Sequence, residues 1–409
     1  RRRLSACAPA LLCLACFSWL GTCSTLSAED CLALGYPRNA SGACSGPPAR
    51  AAHYVQRSGD LLTSLSFLAE LGFRILRHEE NEQACPITCN GAYENPWSKT
   101  MVGTLTEDKA WALELTHNYG VSEYDTGGPQ RSLVNFGVVV AEPALIAQTV
   151  GGPGYFTAPL PPVAGMQAGW QDAALASTML VIGPDDYYYT LMAPSETDPP
   201  GLLPRFHHVS LRVGSLQRSL LFYTDLLGMQ QLPDDISDNA RAVGVATACL
   251  LAGRPQDYAD NVMSTAVGYA DKDGADLIFV LIDDGFPVTR NPNASAWGGR
   301  NAIAMPELAV RRINDILLEQ QAEEEGGTRA TSDARVRGGI VHPLQVLEEK
   351  VLGRLLILIV ADPDGNELCL VSREVFDPLA RAADDFKLVR TAAQGSLPFV
   401  AHRGNSCLI

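Results

Sequence analysis

Two histidines stand alone in short alternating runs: His53 in HYVQR, and His208 in HHVSLRV with His207 beside it. An imidazole in such a run can ligate a metal or move a proton near neutral pH. A lone strand histidine is more often a hydrogen-bonded structural residue, so neither is a site on its own. Cys85 and Cys89 make a CxxxC pair close to Trp97-Ser98-Lys99. They could bind metal or respond to redox state, but without further Cys or His nearby the ligand set is incomplete, which favours a structural loop. Cys407 is third from the end of the sequence, where a prenylation motif needs four residues. Tyr187, Tyr188 and Tyr189 read as a strand alternating between core and surface. There is no P-loop, dinucleotide fingerprint or nucleophile triad.

The chain that must position these residues has 409 of them, 46% hydrophobic and 19% charged. That composition supports a sizeable core and rules out wholesale disorder. A net charge of −15 repels phosphate backbones and anionic lipid, so nucleic acid is a poor partner. Eleven cysteines are too few for a disulfide-dense scaffold of this length.

The first fifty residues are set apart from the rest. Residues 1–28 join Arg1, Arg2 and Arg3 to an apolar stretch with small residues at Ser24, Ser27 and Ala28. This reads as a secretory signal peptide, with an uncleaved anchor, a mitochondrial presequence or translated upstream sequence as alternatives. Residues 29–50 are rich in Gly, Ala, Ser and Pro, as in the second half of a bipartite plastid leader or a flexible linker. The expected destination is the secretory pathway or a plastid, with the mitochondrion as the alternative. Asn39-Ala40-Ser41 and Asn293-Ala294-Ser295 are glycosylation sequons of a kind that arises often by chance. Without this segment 26 basic residues face 44 acidic ones, a net of −18, and five cysteines remain (85, 89, 249, 369 and 407). An odd, sparse set argues against a disulfide framework.

The remainder is a fourfold repeat of strand, amphipathic helix, then two or three strands, at about 51–118, 131–194, 205–283 and 298–372. In the first module His53 to Arg57 alternates, Leu61, Leu62, Leu65, Phe67 and Leu68 form a helical stripe, and Gly72 closes the helix. The third repeats this, with Gly228 as the stop. In the second and fourth, Pro143 and Pro306 sit near the helix start. LILIVADPDGNELCLV closes the fourth as a hairpin that needs Gly365 in its turn. Segments 252–275 and 321–335 read as loop insertions, and Glu323-Glu324-Glu325 as a solvated helix end.

Four βαβββ modules, HHVSLRVGSLQRSLLFYTDLLGM and ALELTHNYG resemble the vicinal oxygen chelate (glyoxalase I/bleomycin resistance/dioxygenase) superfamily. RILRHEENEQACPITCNGAYENPWSKTMVG and ADPDGNELCLV narrow the resemblance to the glyoxalase domain-containing protein 4 family. It covers nearly all of residues 51–385. It implies an α+β fold of two glyoxalase-type domains, at 51–194 (modules one and two) and 205–372 (modules three and four), followed by a C-terminal helix and tail at 373–409. It also implies that module one faces module four, and module two faces module three, to form two clefts.

In the family each module offers one metal ligand from its first strand and one from its last, and the metal stabilises an enediolate. By that resemblance the one–four cleft carries His53 and Glu114 as ligands, with Arg300 and Cys369 at the other two positions. Both departures match the narrower family. The catalytic glutamate is replaced by Cys369, and Glu367, two residues away on the same strand face, is the other weak catalytic candidate. It would serve only if the site moved by about 7 Å. Arg300 would repel a dication, and could bind an anionic substrate group or pair with Glu114. The two–three cleft would hold Asn135, Thr190 and His208 and lacks a fourth ligand, which leaves His208 as the weaker metal candidate. Glutathione-contact positions fall on Arg57 and Asn118 in the first cleft, opposite Ala296, and on Arg131 and Arg212 in the second.

The resemblance therefore implies a glyoxalase-I-like metal-dependent lyase or isomerase acting on a small carbonyl compound such as methylglyoxal, or its thiol adduct. Its cofactor would be a divalent metal (Zn, Ni, Co or Mn) and its co-substrate glutathione. The alternative is a non-catalytic protein of the same fold that binds a metabolite or a protein partner. Expected partners are a small-molecule substrate, no nucleic acid and, for the mature body, no membrane; the expected state is a monomer or weak dimer.

Overall fold

A computed structural model describes residues 49–124, 131–150, 157–160, 175, 177–195, 202–253, 262–269, 277–286, 288, 299–325, 338–349 and 353–381. The leader up to residue 48, both sequons, Ala296 and Cys407 lie outside these. Module one is β1 (Arg50–Arg57), α1 (Leu61–Glu70), β2 (Arg74–Asn81), β3 (Trp97–Gly103) and β4 (Ala112–Asn118). Module two is β5 (Leu133–Val139), α2 (Pro143–Val150), β6 (Thr157–Pro159), β7 (Met179–Ile182) and β8 (Tyr188–Met192). Module three is β9 (Arg205–Arg212), α3 (Leu216–Leu221), β10 (Gln230–Gln231), α4 (Asp234–Leu251), β11 (Met263–Gly268) and β12 (Ile278–Asp283). Module four is β13 (Asn301–Met305), α5 (Glu307–Glu325), β14 (Gly339–Glu349), β15 (Gly353–Ala361) and β16 (Glu367–Ser372), and α6 (Arg373–Arg381) follows it.

Local chemistry sets these boundaries. The Asp60 carboxylate accepts from the amides of Leu62 and Thr63 at 3.0 and 3.1 Å and so caps α1. Ser215 caps α3 in the same way. Gly72 and Gly228 end their helices at φ 96° and 71°, a conformation that side chains disfavour. Pro143 opens α2, where its missing N–H is no loss.

The strands form two eight-stranded sheets, ordered β14-β15-β16-β13-β1-β4-β3-β2 and β10-β11-β12-β9-β5-β8-β7-β6. The antiparallel pairs β1–β13 and β5–β9 join module one to four and module two to three. Each sheet thus draws one module from 51–194 and one from 205–372. One face of each sheet packs into a shared core, where the Tyr54 ring meets Phe136 edge-on with centroids 5.1 Å apart. Leu61, Leu65, Phe67 and Leu68 of α1 and the apolar face of α5 also bury there, whereas Leu62 of the expected stripe is exposed. Tyr187 and Tyr189 are buried while Tyr188 is half-buried, the expected alternation.

Module three departs from the expected pattern. Residues 263–268, expected inside a loop insertion, are strand β11, and the larger insertion is α4 ahead of it. Ala240, Val243 and Ala246 of α4 pack with Val134, Leu180, Val280 and Ile282 on the sheet face turned away from the shared core. Among the described residues no helix is long and apolar enough to cross a membrane.

Candidate functional site

The equivalent face of the one–four sheet carries the charged groups. His53, Ala302 and Cys369 lie side by side in register across β1, β13 and β16. His53 Nδ1 lies 2.8 Å from Glu107 Oε1, and its Nε2 lies 3.3 Å from Glu114 Oε2. The Lys99 ammonium, carried in by β3, is 3.3 Å from the same Glu114 oxygen. Arg77 holds the other oxygen of Glu107 at 3.2 Å. On the module-four side Arg300 pairs with Glu367 at 2.8 Å, with both side chains buried. The expected pairing of Arg300 with Glu114 is corrected: Asn301 is in register with Leu368 on the adjacent strand, which sets Arg300 beside Glu367, whereas Glu114 is two strands away.

These contacts fix the protonation states. Burial alone would raise the Glu107 carboxyl, but Arg77 and the hydrogen bond from His53 outweigh it and bring it to about 2. Glu107 therefore accepts, and His53 Nδ1 donates to it. Burial raises Glu114 too, and Lys99 and His53 overcome it, so its carboxyl lies below the ordinary value. Lys99 is pulled down by burial and raised further by Glu114 and Glu79, so it stays an ammonium. Burial, with Glu114 and Glu367 adding and Arg300 and Lys99 opposing, pushes the Cys369 thiol up to about 11. Cys369 is thus a neutral thiol near pH 7 and a poor nucleophile.

The set does not fit a dication. Of the four residues that the resemblance assigns to the metal, Arg300 brings a guanidinium and Cys369 a protonated thiol, and Lys99 already neutralises Glu114. No group of three His, Cys, Asp or Glu side chains converges as metal ligands among the described residues. Glu107 and Lys99 were not singled out as site residues from sequence. The nearest signal was Lys99 beside the CxxxC pair.

The three groups expected to contact substrate here are engaged by the chain itself. Cys85 and Cys89 are joined by a disulfide. The turn between them offers its carbonyls inward: Arg57 Nη1 donates to Cys89 O at 2.6 Å, and Arg300 donates to Ile87 O and Thr88 O at 3.1 Å. Asn118 Nδ2 donates to Asn90 O at 3.0 Å, and Asn90 Nδ2 donates back to Asn118 Oδ1 at 3.0 Å. Burial first, then the charge of Arg300, lowers Arg57 to about 10. Thr88 adopts φ 54°, which for a β-branched residue costs on the order of 1–3 kcal/mol. The α6 helix covers the rest of this face, with Phe376 and His53 ring centroids 6.0 Å apart.

The two–three cleft does bring Asn135, Thr190 and His208 together. Asn135 Nδ2 donates to Thr190 Oγ1 at 2.7 Å and lies 3.3 Å from His208 Nε2. The cluster is neutral and lies on the face that α4 covers. Arg212 is spent on Asp284 at 2.9 Å and on the Ala248 carbonyl at the end of α4 at 3.4 Å. Arg131 stacks on Tyr188, 4.4 Å from the ring centroid.

Burial pulls both adjacent imidazoles down, His208 to about 3 with Arg205 adding, and His207 well below its ordinary value. An unfolded histidine takes its proton near 6.5, so the stability of these neutral rings is complete above that pH and is lost as pH falls towards 3. Glu107 adds a loss between 4.5 and about 2. Asp362, raised by burial to about 6, and Asp185, also raised by burial, work the other way, against the three lowered imidazoles of His207, His208 and His342. The unfolding free energy should therefore drop as pH falls below 6.5, by about 1.4 kcal/mol per pH unit for each net proton. His208→Gln should flatten the upper part of that slope in pH-dependent denaturant titrations.

Two eight-stranded sheets, each built from two strand–helix–strand modules, define a glyoxalase-type fold. The chain belongs to the Glyoxalase/Bleomycin resistance protein/Dioxygenase superfamily, whose family profile matches residues 205–279. Glyoxalase domain-containing protein 4 of Rattus norvegicus is 28% identical over 335 residues, 81% of this chain and 88% of that protein. A Brassica oleracea relative is 30% identical over 330 residues, 79% of this chain and 92% of its own. The crystal structure of glyoxalase I from Zea mays superposes with a TM-score of 0.56 at 23% identity, covering 83% of this chain and 97% of that one. This last likeness is one of fold.

Proposed function

We propose that this chain is a glyoxalase-fold protein whose one–four cleft binds a small oxygen-rich metabolite, a carbonyl compound or its thiol adduct, on organic cations, without a metal-dependent lyase step. The carrying observation is that Arg300, paired with Glu367 at 2.8 Å, and Lys99, 3.3 Å from Glu114, put two cations among the residues that the family resemblance assigns to the metal site. Both cations can donate to ligand oxygens, and burial strengthens such contacts. The groups that could move a proton are tuned away from doing so. Glu114 is held ionised by Lys99 and is a weak base, while Cys369, at about 11, is a weak acid.

One observation favours a second reading, a glyoxalase-I-like lyase using Zn, Ni, Co or Mn with glutathione as co-substrate. Glu107 orients His53 as carboxylates orient metal-binding histidines, leaving Nε2 facing Glu114. The assay that separates the two is isomerisation of the methylglyoxal–glutathione hemithioacetal by the full chain with each metal added. The expected result is no turnover above the uncatalysed rate. S-lactoylglutathione should still bind, and Lys99→Met should weaken that binding by roughly 10-fold, the worth of a charged hydrogen bond. Turnover that disappears in His53→Ala or Glu114→Gln would overturn the proposal.

A further inference from the structure

The cleft already holds an occupant. Five hydrogen bonds run from Arg57, Arg300 and Asn118 to residues 87–90, and all but one of them end on backbone carbonyls. The turn is anchored on both modules. Ile87 is buried with Ala302, Ile357 and Ile359 of module four. Thr88 Oγ1 lies 2.9 Å from His342 Nε2 on β14. Cys85 N donates to Asn90 Oδ1 at 3.0 Å, which closes the turn beside the disulfide. The two cysteines are four positions apart, so the bond closes this turn locally.

We infer that residues 85–90 are a thiol-controlled plug: the Cys85–Cys89 disulfide seats their carbonyls on Arg57 and Arg300, and its reduction releases both guanidiniums to the cleft. The inference rests on the reading of the one–four cleft as the binding site and names how that site is regulated. In the oxidised form the turn is covalently closed, which keeps Thr88 in its left-handed conformation and three successive carbonyls pointing inward. Opening requires a two-electron reductant, such as a dithiol. One of the dithiol's thiolates attacks a cysteine sulfur, the S–S bond breaks, and a second exchange leaves the reductant as a disulfide and the two cysteines as thiols. The turn is then held only by non-covalent contacts, and the closed conformation loses the advantage of a short covalent loop, on the order of tenfold or more in its favour.

The test reads the guanidiniums directly and needs no knowledge of the ligand. Phenylglyoxal, a vicinal dicarbonyl, condenses with accessible arginines, and peptide mass spectrometry gives the rate at each one. The full chain is compared as the disulfide, after reduction by a phosphine, and as Cys85→Ser with Cys89→Ser. Arg212, buried against Asp284 in the other sheet, serves as the internal standard. The expected result is that Arg57 and Arg300 resist modification in the disulfide form and react at least tenfold faster in the other two, with Arg212 unchanged. Equal rates at Arg57 and Arg300 in all three forms would overturn the inference. So would a parallel rise at Arg212, which would mean that the bond holds the whole fold. Neither result depends on metal content or hemithioacetal turnover, so this inference and the proposed function fail separately.

Discussion

Arg300→Met should lower the unfolding free energy by about 3–5 kcal/mol, the usual effect of removing one partner of a buried ion pair. The substitution leaves the Glu367 carboxylate 7% exposed beside an apolar side chain and strips donors from the Ile87 and Thr88 carbonyls. Desolvation of the orphaned carboxylate is the larger part, because the carbonyls can recruit water once the turn loosens. Replacing both partners, as Arg300→Met with Glu367→Leu, removes the unpaired charge and should recover most of the loss. Urea denaturation of the two single variants and the double variant completes the cycle. An additive double variant would mean that the pair is not coupled and that Arg300 acts on the turn alone.

Gly137→Ala should be nearly as damaging, and for a steric reason. A Cβ at Gly137 would overlap Cε1 and Nδ1 of His208 and come within 2.7 Å of its Nε2. The ring has nowhere to go, since it is fully buried and held between Asn135 and His207. The expected loss lies at or above the upper end of the ~1–3 kcal/mol typical of overpacking. His208→Ala in the same chain should restore part of that stability by vacating the space, as thermal unfolding would report. This also explains why module two places a glycine there: the neutral His208 cluster requires a bare backbone on the neighbouring strand.

The features that sequence could reveal are those encoded locally. The helix stops at Gly72 and Gly228, the starts at Pro143 and near Pro306, and strand alternation from His53 to Arg57 all follow from spacing and backbone preference. The partners of those groups depend on register between distant strands, which spacing along the chain does not carry. Arg300 meets Glu367 rather than Glu114 for this reason. Glu107 lies in the connection between β3 and β4, where no periodicity marks it as facing inward. The α4 helix had a readable signal in the Ala- and Val-rich run from Ala240 to Ala248, which only Arg241, Gly244 and Thr247 interrupt. The modular pattern, which calls for a strand at that point, masks it. Asn118 and Arg57, which the family resemblance assigns to substrate, bind the chain's own turn, which only the three-dimensional arrangement discloses.

Metal stoichiometry tests the central claim most directly. The full chain, produced with Zn, Ni, Co and Mn each supplied and then freed of loosely held ions, is assayed by elemental analysis. With Lys99 and Arg300 in the cleft, metal content well below one equivalent is expected, and Lys99→Met should be needed before His53 and Glu114 retain any. One tightly held equivalent in the unmodified chain, lost in His53→Ala and in Glu114→Gln, would contradict the account.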